Sequence, residues 1–205
     1  EIETWLGVWE AASDSTAIRT ANELGVASPT GIRAIAPTGT IGLIADTSTG
    51  IEPLFAVAYK RRFLKGQSDW QYMYVVDATA QHMVDAYGVD PDSIETALTL
   101  STDVRRRLEM QARIQDHVDM SISSTINMPA WGSPQNNEDT IDNMADLVSE
   151  FAPRIRGLTI YPDGSRGGQP LTAVPYGDAK CLQGEVFTET HDICALSGKG
   201  GTCGS

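Results

Sequence analysis

The chain has 205 residues, of which 41% are hydrophobic and 20% charged, so it is long and apolar enough to bury a core. Its net charge of −12 disfavours a nucleic-acid polymer as partner, because phosphate backbones are bound by clustered Lys and Arg. The two short basic runs, Lys60–Arg62 and Arg105–Arg107, are expected to be solvated faces. No membrane-length apolar run and no basic leader is visible, which predicts a cytoplasmic protein without a membrane segment.

Apolar periodicity predicts helices and strands in alternation along the chain, which favours an α/β architecture. Helices are predicted over residues 2–13, 69–87, 101–118 and 137–151, with Gly88 ending the second and Ser101 capping the third. Strands are predicted over residues 32–36, 55–59, 120–127 and 157–161. After Leu171 the periodicity fades and glycines become frequent. Residues 173–205 are therefore expected to form a flexible tail.

A loop with the composition of a phosphate cradle follows the first predicted strand. Its residues are Pro37, Thr38, Gly39, Thr40, Ile41 and Gly42. Glycine lets a backbone approach an anion, the two threonine hydroxyls add donors, and a helix beginning near Thr40 would point its free N–H groups at the same place. The alternative is an ordinary glycine-containing turn. The loop lacks the lysine of a Walker motif, which disfavours a nucleotide-hydrolysing P-loop.

All three cysteines lie near the end of the sequence, at Cys181, Cys194 and Cys203. Cys194 and Cys203 lie among small residues, so their thiols can meet by closing a short loop at modest entropic cost. Such a pair suits electron transfer by thiol–disulfide exchange. Two alternatives stay open: a zinc site formed with Cys181 and His191, which the spacing supports poorly, and three idle thiols.

Three blocks, taken together and in order, resemble the large chains of ribonucleotide reductases. The first is Ala36–Gly42 followed by Thr49–Pro53; the second is Asp116–Asp119 followed by Ser121–Pro129; the third is Gly157–Arg166. The three blocks in series are far more specific than any one of them alone. The cysteine-bearing end of the sequence resembles the C-terminal thiol shuttle of that family.

The resemblance implies a ten-stranded α/β barrel that reduces ribonucleotides through a cysteine thiyl radical. Residues 1–172 would be a C-terminal portion of that barrel. Residues 37–42 would bind the phosphates of the substrate, with ribonucleoside diphosphates favoured over triphosphates. Cys194 and Cys203 in the tail would reduce the disulfide formed during turnover and would be restored by a thioredoxin-like or glutaredoxin-like protein.

Two features select a subtype within that family. Thr159-Ile160-Tyr161 has one tyrosine where the iron-dependent class has two adjacent ones, and Asp163-Gly164-Ser165-Arg166 resembles the adenosylcobalamin-dependent class. The resemblance therefore implies adenosylcobalamin as cofactor, and no metal site is predicted among the side chains. Two departures are the wide spacing of the tail cysteines and Ser124, which stands where lysine is frequent.

The barrel chemistry requires cysteines inside the barrel, whereas every cysteine here lies beyond residue 180. The chain is therefore expected to need the remainder of a reductase chain, which supplies the radical cysteine, and to be inactive alone. A non-catalytic nucleotide-binding α/β module that uses the same loop is the alternative function. A glycyl-radical relative ranks last, because Gly198, Gly200 and Gly201 lie in a low-complexity run without a recognisable motif.

Overall fold

The structure is a computed structural model that describes residues 1–45, 47–65, 69–165 and 170–188. The chain divides into two compact units, residues 1–57 with 78–167, and residues 58–77 with 168–205. The first unit contains α1 (Ile2–Leu24), α2 (Gly39–Ile44), α3 (Ala78–Tyr87), α4 (Val104–Gln115), β3 (Thr125–Met128), α5 (Ile141–Phe151) and β4 (Thr159–Pro162). The second contains β1 (Ala58–Lys65), β2 (Asp69–Val76), β5 (Leu171–Ala173), α6 (Tyr176–Cys181) and β6 (Val186–Phe187).

In the first unit, β3 and β4 pair in parallel, with Thr125 opposite Thr159. An isolated parallel bridge between Ile35 and Ile122 extends the same alignment to the residues before α2. The strand predicted over residues 32–36 is thus reduced to one bridge, and the strand predicted over 120–127 is shorter than expected. Parallel strands with helices between them are the arrangement that the alternating periodicity predicted.

Two apolar clusters stabilise this unit. The first consists of four buried residues, Leu108, Ala112, Ile126 and Phe151. The second is formed by Ile114, Val118 and Ile122, against which Leu6, Ile35 and Ile51 pack. Helix α4 contributes residues to both clusters, in agreement with the apolar stripe predicted for it. The cap of α4 differs from the prediction: Asp103, rather than Ser101, accepts the N–H of Arg106 at 3.2 Å.

The helix predicted over residues 69–87 is wrong in its first half. Residues 69–76 form β2, which pairs antiparallel with β1 along its whole length, and the helix starts only at Ala78. Trp70, Tyr72 and Tyr74 alternate with period two, and Tyr72 and Tyr74 both stack on Phe187 of β6. Aromatic residues favour strands because they pack well on a pleated surface, and that preference prevails here.

The second unit is a four-stranded sheet in the order β5-β1-β2-β6, with α6 packed on it through Ala179. Residues 173–188, where little periodicity was visible, therefore contain a short helix and a strand. The barrel portion was expected to end at residue 172. That boundary stays a prediction, because the division into two compact units does not show which residues belong to the barrel. In the described parts of the chain, no helix combines the length and apolarity needed to cross a membrane.

A buried arginine ties α1 to the segment that precedes α2. The Arg33 side chain is 5% exposed, and its guanidinium donates to the Ser13 hydroxyl at 2.8 Å and to Asp14. On the other side it donates to the His117 carbonyl at 2.8 Å and pairs with Asp119 at 3.2 Å. A buried charge is tolerated only when it is paired and hydrogen-bonded, so these contacts fix the two segments together.

Asp119 accepts two main-chain N–H groups, from Ile32 at 3.0 Å and from Arg33 at 3.1 Å. These hydrogen bonds, aided by the nearby Arg33 charge, hold the pKa of the Asp119 carboxyl below its ordinary value. The hydrogen bond to Asp14 and the surrounding carboxylates raise the pKa of Arg33. Both groups therefore stay charged at neutral pH, and the segment before α2 is anchored at its start.

Truncating the core of the first unit should be costly. Leu108 is fully buried, so Leu108→Ala removes packing contacts and leaves a cavity. We expect the free energy of unfolding to fall by about 3 kcal/mol. Ile141→Ala, at a residue that is 50% exposed, is the control and should cost less than about 1 kcal/mol. Urea unfolding measures both; equal losses would contradict this account of the core.

Replacing Asp119 should change how stability depends on pH. Because its pKa is lowered on folding, Asp119 stabilises the chain at neutral pH, and this contribution is lost as the pH falls below about 4. Asp119→Asn should lower the unfolding temperature at neutral pH. As the pH is lowered, the unfolding temperature of this variant should fall less than that of the wild type. Thermal unfolding over a pH series measures this, with Asp146→Asn, at an exposed position of α5, as the control. Parallel curves for the wild type and Asp119→Asn would contradict the prediction.

Candidate functional site

The predicted phosphate loop, residues 37–42, follows the anchored segment 33–35, and its last four residues form the first turn of α2. Thr38 is the residue before the helix and has φ +49° and ψ +21°. Within the described ranges, no other non-glycine residue has a positive φ. A threonine in the left-handed region costs about 1–3 kcal/mol, and such conformations cluster at ligand-binding sites.

The first three amides of α2 are free. The Gly42 N–H donates to the Thr38 carbonyl at 2.7 Å and closes the first helical turn. The N–H groups of Gly39, Thr40 and Ile41 lie within that turn and have no hydrogen-bond partner among the described residues. All three residues are exposed, and a Cβ placed on Gly39 would meet nothing within 4 Å. The loop therefore presents three unpaired donors to open space.

The remaining parts of the loop support its shape. The Thr38 hydroxyl accepts the N–H of Gly50 at 2.9 Å, so it links the two ends of the loop. Gly42 approaches Thr49 so closely that a Cβ at position 42 would lie 2.4 Å from the Thr49 methyl carbon. Gly50 has φ +53°, a conformation that other residues rarely adopt. Of the predicted set, residues 39–41 offer free amides, whereas Thr38 and Gly42 serve the loop itself.

An ion pair lies at the end of this loop and was not singled out as a site by the sequence. One carboxylate oxygen of Glu52 accepts the N–H of Thr125 at 2.6 Å, and the other pairs with Arg107. Arg107 also donates to the Thr125 carbonyl at 3.1 Å. The side chain of Arg107 is 9% exposed and that of Glu52 25%.

Two cavities of the first unit lie outside the predicted loop. A groove of about 760 Å³ between α1 and residues 26–32 is lined by apolar and small residues such as Trp9, Ala17 and Leu24. A second cavity of about 500 Å³ lies beside Glu52 and the α4 arginines. Residues 37–42 line neither of these two cavities.

The tail cysteines lie outside the described residues. Cys194 and Cys203 both follow Thr188, where the described part of the chain ends, and so does His191. Cys181 is exposed and is the last residue of α6. The thiol shuttle and its zinc alternative therefore both stay predictions.

Comparison with known proteins agrees with this arrangement. Residues 30–151, which contain the loop, α4, β3 and α5, match the family model described as "Ribonucleotide reductase, barrel domain". A vitamin B12-dependent ribonucleoside-diphosphate reductase of Mycobacterium tuberculosis is 30% identical over 182 residues, covering 80% of this chain and 24% of that protein. A protein of the same description from Thermoplasma acidophilum is 29% identical over 160 residues, covering 68% of this chain and 20% of that protein.

Among solved structures, a crystal structure of a B12-dependent (class II) ribonucleotide reductase matches 90% of this chain and 27% of its own, with a TM-score of 0.65 and 14% identity. This likeness shows the fold, and the expected fold class, part of a reductase-type α/β barrel, is confirmed. The chain spans about a quarter of the length of the proteins that it matches. Because the family model covers more than half of its residues, the chain belongs to the ribonucleotide reductase barrel-domain family.

Proposed function

We propose that this chain is part of an adenosylcobalamin-dependent reductase that converts ribonucleoside diphosphates to 2′-deoxyribonucleotides, and that residues 37–42 bind the diphosphate of the substrate. The observation that carries the proposal is the set of three unpaired amides at Gly39, Thr40 and Ile41, in an exposed loop of the family-matched segment. Diphosphate is favoured because relatives such as the M. tuberculosis protein are named as ribonucleoside-diphosphate reductases.

Main-chain amides suit this role in a chain with a net charge of −12. An N–H group that has no partner in the folded chain gains a charge-assisted hydrogen bond when a phosphate oxygen arrives. Such a bond needs no lysine or arginine side chain at the loop, and the absence of a Cβ at Gly39 leaves the approach open. The exposed Thr40 hydroxyl adds a further donor beside the amides.

Adenosylcobalamin is proposed from the names of the relatives and from the single tyrosine at Tyr161. When bound in such an enzyme, it supplies the radical that is passed to a cysteine. The described residues do not form a site for it by themselves. A corrin with its nucleotide arm is far larger than a drug-sized ligand, and the apolar groove along α1 offers it few polar partners.

For the tail we propose that Cys194 and Cys203 form a dithiol that regenerates the enzyme. Each turnover oxidises two active-site thiols to a disulfide. A tail thiolate attacks that disulfide, and the second tail thiol resolves the mixed disulfide, so two electrons and two protons pass to the active-site pair. The tail disulfide that results is then reduced by a thioredoxin-like or glutaredoxin-like dithiol.

The active-site cysteines themselves are proposed to come from the remainder of a reductase chain, since the three cysteines here all lie beyond residue 180. The 205-residue chain is accordingly proposed to be inactive alone and to work in the cytoplasm, where thiol reductants are available. The match to about a quarter of each relative is consistent with this division of labour.

A negative charge at the loop should weaken diphosphate binding selectively. Gly39→Asp is sterically permitted, because a Cβ there has open space, and it introduces a carboxylate beside the free amides. We expect the Kd for cytidine diphosphate to rise about tenfold, from the repulsion of one added charge near the surface. The Kd for cytidine, which lacks phosphate, should stay unchanged. Titrations followed by amide NMR shifts measure both, even at millimolar affinity.

Gly177→Asp is the matched control, because Gly177 in α6 has equally open surroundings. It adds the same charge to the chain and should leave the Kd for cytidine diphosphate unaltered. If Gly39→Asp also left that Kd unaltered, or if it weakened cytidine to the same extent, the phosphate assignment would be wrong. Tight binding by the chain alone, without any catalytic activity once it is combined with the rest of a reductase, would favour the binding-module alternative.

The tail thiols should be needed only for reduction by a protein partner. In a full-length reductase that contains this chain, Cys194→Ser with Cys203→Ser should abolish multiple turnovers driven by thioredoxin. Turnover driven by a small dithiol, which reaches the active-site disulfide directly, should persist. Cys181→Ser is the control and should leave both activities intact, because Cys181 is an exposed thiol of α6. Equal turnover with thioredoxin in all variants would refute the shuttle.

A further inference from the structure

We propose that Glu52 is a positioning residue that holds the open phosphate loop in its binding conformation through Arg107 and the main chain of β3. This inference rests on the proposed function of residues 37–42 and names the side chain that prepares them. Glu52 does not lie among the free donors. Glu52 lies just after the C-terminal end of the loop and acts on the loop from there.

The Glu52 carboxylate fastens the end of the loop to the start of β3. Its two oxygens have separate partners: one accepts the Thr125 N–H at 2.6 Å, and the other pairs with the Arg107 guanidinium. Arg107 in turn donates to the Thr125 carbonyl at 3.1 Å and lies 3.4 Å from the Ser124 hydroxyl. The N–H and C=O of Thr125 are thus both satisfied by side chains. A shift of Glu52 would leave the part-buried Thr125 amide without its acceptor and the buried Arg107 cation without its carboxylate.

A short hydrogen-bonded turn, residues 49–52, connects Glu52 to the part of the loop that contains the free amides. The Glu52 N–H donates to the Thr49 carbonyl at 3.0 Å, which closes a tight turn. Gly50, inside that turn, donates to the Thr38 hydroxyl at 2.9 Å, and Thr49 packs against Gly42. Thr38 precedes the first free amide and has the strained left-handed conformation, which persists only where neighbours enforce it.

The neighbouring arginines of α4 show that this pair differs from ordinary surface ion pairs. Arg105 pairs with Glu150 at side-chain exposures of 51% and 53%, and Arg106 pairs with Glu95 at 56% and 55%. Arg107 and Glu52 are 9% and 25% exposed. Exposed pairs contribute little because water competes for both charges, whereas breaking a buried pair leaves an uncompensated charge. The exposed pair of Arg105, on the same helix as Arg107, with Glu150 of α5 therefore provides a matched control.

The test compares Glu52→Gln with Glu150→Gln in the uniformly ¹⁵N-labelled chain. The first readout is the solvent-exchange rate of the Gly50 amide, which reports the contact with Thr38. We expect Glu52→Gln to raise this rate about tenfold, the effect of losing one charge-assisted hydrogen bond. The exchange rate of the Leu147 amide in α5, which reports the fold, should stay as in the wild type. Glu150→Gln should change neither rate.

The second readout is affinity. Glu52→Gln should raise the Kd for cytidine diphosphate about tenfold and leave that for cytidine unchanged, because only the amides that meet the phosphates are displaced. Loss of affinity for both ligands together, or an unchanged Gly50 exchange rate, would overturn the inference. If Glu52→Gln speeds exchange throughout the chain, Arg107→Lys is used instead. This variant keeps the charge but loses the guanidinium nitrogen that contacts Glu52, Ser124 and Thr125, and it must raise exchange at Gly50 alone.

Failure of this inference is distinguishable from failure of the proposed function. If cytidine diphosphate leaves the Gly39 amide resonance of the wild type unmoved, the phosphate assignment fails. In that case, the Gly50 exchange rates of Glu52→Gln and Arg107→Lys still decide whether Glu52 holds the loop. If the diphosphate does shift Gly39 and the Gly50 exchange rate is the same in all variants, only the positioning role is refuted.

Discussion

Two buried guanidinium groups hold the loop between residues 36 and 50, one at each end. Arg33 anchors the incoming segment to α1 and to Asp119, and Arg107, with Glu52, anchors the outgoing segment to β3. Each cation is stable only when its carboxylates and carbonyls surround it. Both conditions are met only after helices and strands from distant parts of the sequence have assembled, so the geometry of the loop is a product of the folded unit.

In this arrangement, the groups that support the loop differ from the groups that are proposed to bind phosphate. Side chains from α1 and α4 and the main chain of β3 fix the ends of the loop, while the free donors are main-chain amides of residues 39–41. The carboxylates that balance the two arginines add to the acidity of the chain, yet they are engaged with those arginines rather than directed at the free amides. The anion-binding surface proposed for this acidic chain therefore takes its positive character from oriented N–H groups.

The sequence predicted the local features of this site and missed the long-range ones. Pro37, Gly39 and Gly42 mark the loop because proline restricts the local backbone and glycine allows it conformations that other residues avoid. Glu52 and Arg107 are 55 residues apart, and nothing in the spacing of either residue reveals that they meet. The hairpin of β1 and β2 was missed for the same reason. The aromatic residues of β2 fit a strand or a helix, and the pairing with the charged strand β1, which decides between them, is not a local property.

The contact between Gly42 and Thr49 also constrains how the loop can diverge among natural sequences. A methyl group at position 42 would occupy the place of the Thr49 methyl, and the Thr47 carbonyl closes the other side at 3.2 Å. Alanine at position 42 is therefore compatible only with serine, glycine or another residue at position 49 that lacks that methyl. Position 42 should therefore stay glycine in reductases whose position 49 carries that methyl, whereas position 49 can vary freely as long as position 42 is glycine.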